Sequence, residues 1–254
     1  MLAAVKEGDA KKVAELIRQD PGFDVNMAVD GDGATLLHHA CARDSRSAVI
    51  PLLLGHPDID VNLQNTDRET AFLGACYYGH TSCVRLLLKD SRVKVNEPGI
   101  DGRIPLWWAT FNDEVDVVKW WIVSGREIDL GKPGDIYMTD AIGAAQMLDL
   151  PKMLTLLERF KENPEETRHA VRVELGLVDA LAAEMFALVV FVSDGLLQIK
   201  DTTTPSPAAR FFSIAIQLPL ELQMVLCYRV VRSAKEIIPG NESEVAFKWL
   251  ATRI

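Results

Sequence analysis

No stretch of the chain is apolar over the ~20 residues that a membrane-spanning helix needs. The most apolar run, Met185 to Ser193, is closed by Glu184 and Asp194 and reads as a buried helix. Cysteine is scarce. Cys41, Cys76, Cys83 and Cys227 form no CxxC pair and have no histidine at zinc-finger spacing. Neither a disulfide framework nor a zinc module is indicated, and buried, reduced thiols in a cytoplasmic or nuclear protein are expected. Positive charge is also short: 27 Lys and Arg face 36 Asp and Glu, for a net charge of −9. With no dense Lys/Arg run, nucleic acid is not an expected partner, because phosphate contacts need a basic face. No glycine-rich loop leads to Lys-Ser/Thr, and no Gly-x-Ser-x-Gly elbow occurs, so two common routes to catalysis have no support. The opening MLAAVKEGDAKKVAEL is too charged for a secretory signal.

What the chain does have is a core and a period. Hydrophobic residues make up 48% and charged residues 25%, the balance of an ordinary folded protein. One pattern recurs about every 34 residues, anchored on Ala4, Ala40, Ala75, Ala109 and Ala144. Twelve and thirteen positions on come Leu16-Ile17, Leu52-Leu53, Leu87-Leu88, Trp121-Ile122 and Leu156-Leu157. Five positions before the alanine stand Thr35, Thr70, Ile104 and Thr139, which the first copy lacks. Four copies leave through Val25-Asn26, Val61-Asn62, Val95-Asn96 and Ile128-Asp129, in a strand-like exit. Each unit reads as helix, tight turn, helix, and none can bury its apolar face alone, so the copies must stack.

The physical roles follow. A threonine before the first helix accepts a backbone N–H as its cap. Pro105 sits at a helix start, where its missing N–H costs nothing. Small alanines let helices approach. Gly31, Gly33 and Gly102 fall in connecting turns, where a positive φ is expected. Copy one has an outer face rich in Lys6, Glu7, Lys11, Lys12 and Glu15, as a solvent-facing end should.

Thr35-Leu36-Leu37-His38-His39-Ala40-Cys41, Thr70-Ala71-Phe72-Leu73-Gly74-Ala75-Cys76 with Gly79-His80, and Ile104-Pro105-Leu106-Trp107-Trp108-Ala109-Thr110 resemble the ankyrin repeat. In that family a T-P-L-H-x-A-A segment is followed by Gly, V-x-x-L-L and V-N. The resemblance covers residues 1 to about 160. The family's Gly is replaced by Asp44, Asp113 and Leu148 in copies two, four and five. It implies an all-α fold: an ankyrin-repeat solenoid of about five helix-turn-helix repeats over residues 1–161. A helical C-terminal module over 162–254 is expected to pack on or next to the last repeat.

Past Phe160 the period stops. Asn163-Pro164-Glu165-Glu166 reads as a helix start, and 177 to 199 as an apolar helical segment. Residues 200 to 208 read as a loop, followed by helices over Ala209–Gln217, Leu220 to about Ser233 and Ser243–Arg253. Leu218-Pro219-Leu220-Glu221-Leu222-Gln223-Met224-Val225-Leu226, with Phe247-Lys248-Trp249-Leu250, resembles fungal (basidiomycete-type) ankyrin proteins with a helical C-terminus. The same segment is faintly similar to the start of an F-box, which would dock Leu218–Leu226 on a ubiquitin-ligase adaptor. It is equally a plain helix start, with Pro219 near the first turn.

The distinctive feature is aromatic. The residue before each anchor alanine, and those two and three after it, face the concave groove of an ankyrin stack. Here these include His39, Arg43, Tyr77, Tyr78, Trp108, Phe111 and Asn112, with Asp32, Asp67, Glu69 and Arg103 at the hairpin tips. Trp107 and Trp121 take spine positions and are expected in the core. An exposed Tyr/Trp/Phe row suits a binding hot spot; the alternative is that the C-terminal helices or the long turns cover it. Adjacent histidines on a helix point about 100° apart, so His38 and His39 do not chelate together. Asp30-Gly31-Asp32-Gly33 lacks the other ligands of a calcium loop. No metal and no cofactor is expected. The reading is a non-catalytic protein-interaction scaffold binding another protein or peptide. The alternatives are a ubiquitin-ligase substrate adaptor and, with no supporting constellation, an enzyme with a pocket between stack and tail.

Overall fold

The computed structural model describes residues 1–20, 22–132, 140–198, 207–233, 238 and 240–251. Thr139, Arg253 and most of the expected 200–208 loop lie outside them. The regular elements of the described residues are helices, the first ten α-helices in consecutive pairs. α1 (Leu2–Glu7) and α2 (Ala10–Gln19) form copy one; α3 (Leu36–Cys41) and α4 (Ile50–Leu54) form copy two. α5 (Ala71–Tyr77) and α6 (Thr81–Leu88), α7 (Pro105–Phe111) and α8 (Val115–Ser124), then α9 (Ala141–Met147) and α10 (Pro151–Glu162) complete the series. α11 (Pro164–Glu174), α12 (Val178–Ser193), α13 (Pro207–Ala215), α14 (Leu220–Val230) and α15 (Gly240–Ala251) follow. The chain forms two compact units, Met1–Val171 and Arg172–Ile254, dividing within α11.

The exits expected to be strand-like are turns. Among the described residues the β pairing is a single isolated bridge, Gln64 with Thr70. The reason is local: Asp24 and Asp60 each accept the N–H two residues on, from Asn26 and Asn62, both at 2.9 Å. Such side-chain turns bend the backbone before a strand can pair.

In the first unit the anchor alanines are buried, as are Leu53, Leu87, Trp121, Ile122 and Leu157 along the second helices. Phe72 of copy three meets Trp121 of copy four edge-on, with centroids 5.1 Å apart. Leu16 and Ile17, at the first end of the stack, are half-buried. Thr70 caps α5 by accepting the Leu73 N–H at 3.1 Å, and Thr35 forms a reciprocal capping box with His38. Ile104 offers no cap, and Pro105 removes one orphan donor in its place.

The tight turn between paired helices fixes the register of each copy. The N–H five residues past the anchor bonds back to its carbonyl: Asp9 to Ala4, His80 to Ala75, Glu114 to Ala109 and Leu150 to Ala145, at 2.8–3.0 Å. The residue before each donor is left-handed: Gly8, Gly79, Asp113 and Asp149, with φ of 72°, 69°, 56° and 53°. Copy five is therefore anchored on Ala145, not Ala144, its turn residue is Asp149, not Leu148, and its cap is Asp140, which accepts the Ile142 N–H at 3.0 Å. Two adjacent alanines made either alignment possible by pattern alone. Copy two departs differently. Asp44 does not replace the turn glycine but opens a 3₁₀ helix, Asp44–Val49, that runs into α4. Its carboxylate accepts the N–H groups of Ser82 and Cys83, at 2.9 and 3.2 Å, and so caps the next copy's α6. Of the turn glycines, Gly33 and Gly102 have positive φ and Gly31 does not.

Side chains stitch copies together. Asn26 donates to the Asp58 carbonyl at 2.7 Å and accepts the Asp60 N–H at 2.8 Å. Asn62 repeats this one copy on, with Arg92 O at 2.9 Å and Lys94 N at 2.7 Å. Asn96 accepts the Asp129 N–H at 3.3 Å. Arginines hold helix ends and exit turns: Arg92 reaches Leu54 O at 2.7 Å, and Arg126 reaches Asp90 O at 2.7 Å and Val93 O. Arg168 reaches Ile122 O at 3.0 Å.

In the second unit, Ala182, Ala183, Phe186, Ala187 and Val189 of α12 form a core with Ala215, Cys227, Tyr228, Ile238, Ala246 and Leu250. The buried Tyr228 hydroxyl reaches Asp179 Oδ1 at 3.2 Å. In the last part of the first unit, Asn163 caps α11 through the Glu166 N–H at 3.1 Å, at the start expected from sequence. Among the described residues no single helix is long and apolar enough to cross a membrane.

A candidate protein-binding face on copies two to four

The groove positions fall into two adjoining features. The first is an aromatic row across copies three and four. Tyr78 meets Tyr77 at 4.6 Å, Tyr77 meets Trp108 at 4.8 Å, and Trp108 meets Trp107 at 4.8 Å. Phe111 stacks on Trp107 at 4.8 Å with 19° between planes. Trp107 is buried, as its spine position requires, and supports the row from below. Tyr78 stays 64% exposed and Phe111 41%, while Tyr77 and Trp108 are half-buried. His80 stacks on the Tyr78 ring at 5.9 Å. The Arg103 guanidinium lies 4.2 Å from the Trp107 ring centroid and is held by Asp101 at 2.9 Å. Asn112 donates to the carbonyls of Tyr77 and Trp108, at 3.0 and 3.1 Å, and so pins the two helices that carry the row.

The second feature is a cavity of about 290 Å³ between copies two and three. Asp32, His39, Asn65, Glu69, Gly74 and Tyr78 line it, with small residues of α3 and α5. Its cause is a glycine. His39, Gly74 and Trp108 hold equivalent positions before their anchor alanines, and a Cβ built on Gly74 would meet nothing within 4 Å. The missing side chain leaves a gap between the aromatic row and His39.

Electrostatics differ along the cavity wall. His39 Nε2 lies 2.8 Å from Asp30 Oδ2, so that carboxylate has a side-chain neighbour of its own. Bonds from the Ala34 N–H and from His39 hold Asp30 below the usual carboxylate range. Glu69 is the reverse. Burial, and then the nearby Asp67 and Asp101 charges, push its carboxyl up, against one long bond from Asn65 at 3.4 Å. Beneath the wall, His38 Nδ1 accepts the Thr35 N–H at 3.1 Å and its Nε2 donates to Glu69 O at 3.0 Å. Burial lowers the His38 pKa, in keeping with this neutral form.

Of the expected contact residues, Asp32, His39, Glu69 and Tyr78 meet at the cavity. Tyr77, Tyr78, Arg103, Trp108, Phe111 and Asn112 belong to the row. Asp67 is exposed at a tip, where its carbonyl accepts the Ile100 N–H at 3.1 Å. Arg43 is exposed at the end of α3 and joins neither feature. Sequence reading did not single out Asn65, which organises the tip by accepting the Asp67 and Glu69 N–H groups at 3.0 and 2.8 Å. Nor did it see that Gly74 opens a cavity, although its place between His39 and Trp108 in register carried that signal. Among the described residues no group of three or more His, Cys, Asp or Glu is placed to hold a metal.

Stacked helix pairs with a concave groove define a helical repeat solenoid. A family model described as ankyrin repeats (3 copies) matches residues 42–131, so this stretch carries ankyrin repeats. The match ends before the second unit, and nothing in it supports the expected likeness to fungal ankyrin proteins with a helical C-terminus. The chain is 28% identical over 151 residues to the SMC5-SMC6 complex localization factor protein 1 of Homo sapiens, covering 57% of this chain and 14% of that protein. It is 31% identical over 93 residues to inversin of Canis lupus familiaris, covering 36% of this chain and 8% of inversin. It is also 28% identical over 88 residues to the probable E3 ubiquitin-protein ligase XBOS32 of Oryza sativa subsp. japonica, covering 35% and 17%. The chain thus spans only a small part of the length of each of these relatives.

Proposed function

We propose that the ankyrin stack is a non-catalytic scaffold that binds a protein segment along the concave face and hairpin tips of copies two to four. The observation that carries this reading is the aromatic row. Tyr78 and Phe111 keep large exposures while sharing a ring-to-ring network with buried Trp107, and those ring contacts restrict side-chain rotation ahead of binding. Rigid aromatic surface binds at low entropic cost. A localisation factor among the relatives works, by its name, on a protein complex, and recruitment of that kind needs no chemistry beyond a face such as this one. The four thiols are free and buried, which fits the cytoplasm or nucleus. The test is affinity capture from the native organism with wild type and Tyr78→Ala/Trp108→Ala at matched thermal stability. Loss of the specific partner is expected, and equal capture of the same proteins contradicts the reading.

A second reading concerns the other unit. In α14, Gln223, Cys227 and Tyr228 are buried, whereas Leu220 and Leu222 are 53% and 51% exposed. Leu218–Leu226 could then dock on a ubiquitin-ligase adaptor subunit. Retention of that subunit by the wild type but not by Leu220→Asp/Leu222→Asp is the expected outcome, and no retention by the wild type removes the idea.

A further inference from the structure

The cavity beside Gly74 has a composition that selects its occupant. At about 290 Å³ it lies at the lower limit of small-molecule pockets. It suits one side chain better than a cofactor. Glu69 on its wall is half-buried and is acted on unfavourably by the carboxylates of Asp67 and Asp101, the second of which is itself paired to Arg103 at 2.9 Å. Its hydrogen bond to Asn65 is long, at 3.4 Å. Asp32 lines the same space, and the exposed Tyr78 ring closes the side toward the aromatic row. An apolar occupant would strand the Glu69 charge further from water, and an anion would be repelled. A cation gains from both walls, ion-paired to a carboxylate and set against an aromatic face.

We propose that this cavity receives a lysine or arginine side chain of the partner segment, with Glu69 as its counter-ion and Tyr78 as its aromatic wall. This rests on the reading above that the face grips a protein segment, and it adds a chemical requirement: one basic residue at a fixed distance from the part of the segment that lies on the row. The acidic balance of the whole chain, at −9, acts in the same direction by steering basic partners.

The experiment uses the intact chain and a phage-displayed random-peptide library. Selected peptides are expected to share a Lys or Arg at one fixed position. Replacing that residue by norleucine should weaken binding roughly 10- to 100-fold. Glu69→Gln should cost a similar factor for the basic peptide and nothing further for the norleucine peptide. Asp32→Asn should give a smaller loss, and both variants should melt no lower than the wild type. Peptides without a fixed basic position, or equal binding by wild type and Glu69→Gln, overturn the inference. If such peptides still need Trp108 and Phe111, only the cation site falls. If binding ignores Trp108→Ala and Phe111→Ala, or no peptide is selected at all, the reading of the face falls with it.

Discussion

Asn62 shows how one side chain joins two copies. Its amide donates to Arg92 O and accepts from Lys94 N, so both ends of the group are occupied by the next copy's exit turn. Alanine there leaves two backbone groups to find water, and about 1–2 kcal/mol should be lost in urea unfolding. The recurring Val-Asn pairs were plain in the sequence, but their purpose was not, because a partner copy must be in place before the amide has anything to bond. His38 is a second case. Burial lowers its pKa below the ordinary 6.5, partly opposed by the Glu69 carbonyl and by Asp30, with His39 lowering it further. The unfolded chain therefore binds the extra proton first as pH falls. The His38 contribution is complete above about pH 6.5 and is lost as pH falls from there through the folded value. Thermal midpoints measured against pH should decline in that window. In His38→Leu, which copies the Leu73 of the next repeat, the decline should be shallower.

At the scale of the element, α5 carries a cost that the proposed binding face would offset. Gly74 lies inside the helix, where glycine is less favourable than alanine by roughly 0.5–1 kcal/mol, and an added Cβ meets nothing within 4 Å. Gly74→Ala should raise stability by about that amount, and Gly74→Leu should fill the cavity and block binding without unfolding the stack. A loss of stability in Gly74→Ala would show that the cavity is not as open as described. α9 shows a limit of pattern reading. Ala144 and Ala145 are interchangeable as apolar letters, so only the closing bond from Leu150 to Ala145 settles the register. Asp140→Ala should accordingly cost about 1 kcal/mol as the loss of a true N-cap, measured by denaturant titration. The helices themselves were legible, since capping residues, Pro105 and the period all mark them. The 3₁₀ start of copy two was not, because Asp44 is held by backbone N–H groups of α6, far along the chain.

For the whole molecule, the first unit behaves as a one-dimensional stack whose faces are set by nearest-neighbour copies, and the second has its own core around α12. Sequence period could reach only the first of these, which is why the division within α11 had no marker beyond the cap at Asn163. The candidate site was legible to the extent that exposed aromatics at groove positions could be named. Its division into an apolar row and an acidic cavity needed the geometry of Gly74, Asn65 and Glu69. The central claim is that this face of copies two to four holds the protein partner. The direct measurement is the equilibrium Kd of the captured partner for the wild type against Tyr78→Ala/Trp108→Ala, with folding verified for both. A weakening of roughly 100-fold or more is predicted, as removal of two hot-spot aromatics implies. An unchanged Kd would place the binding surface elsewhere on the molecule and contradict the account.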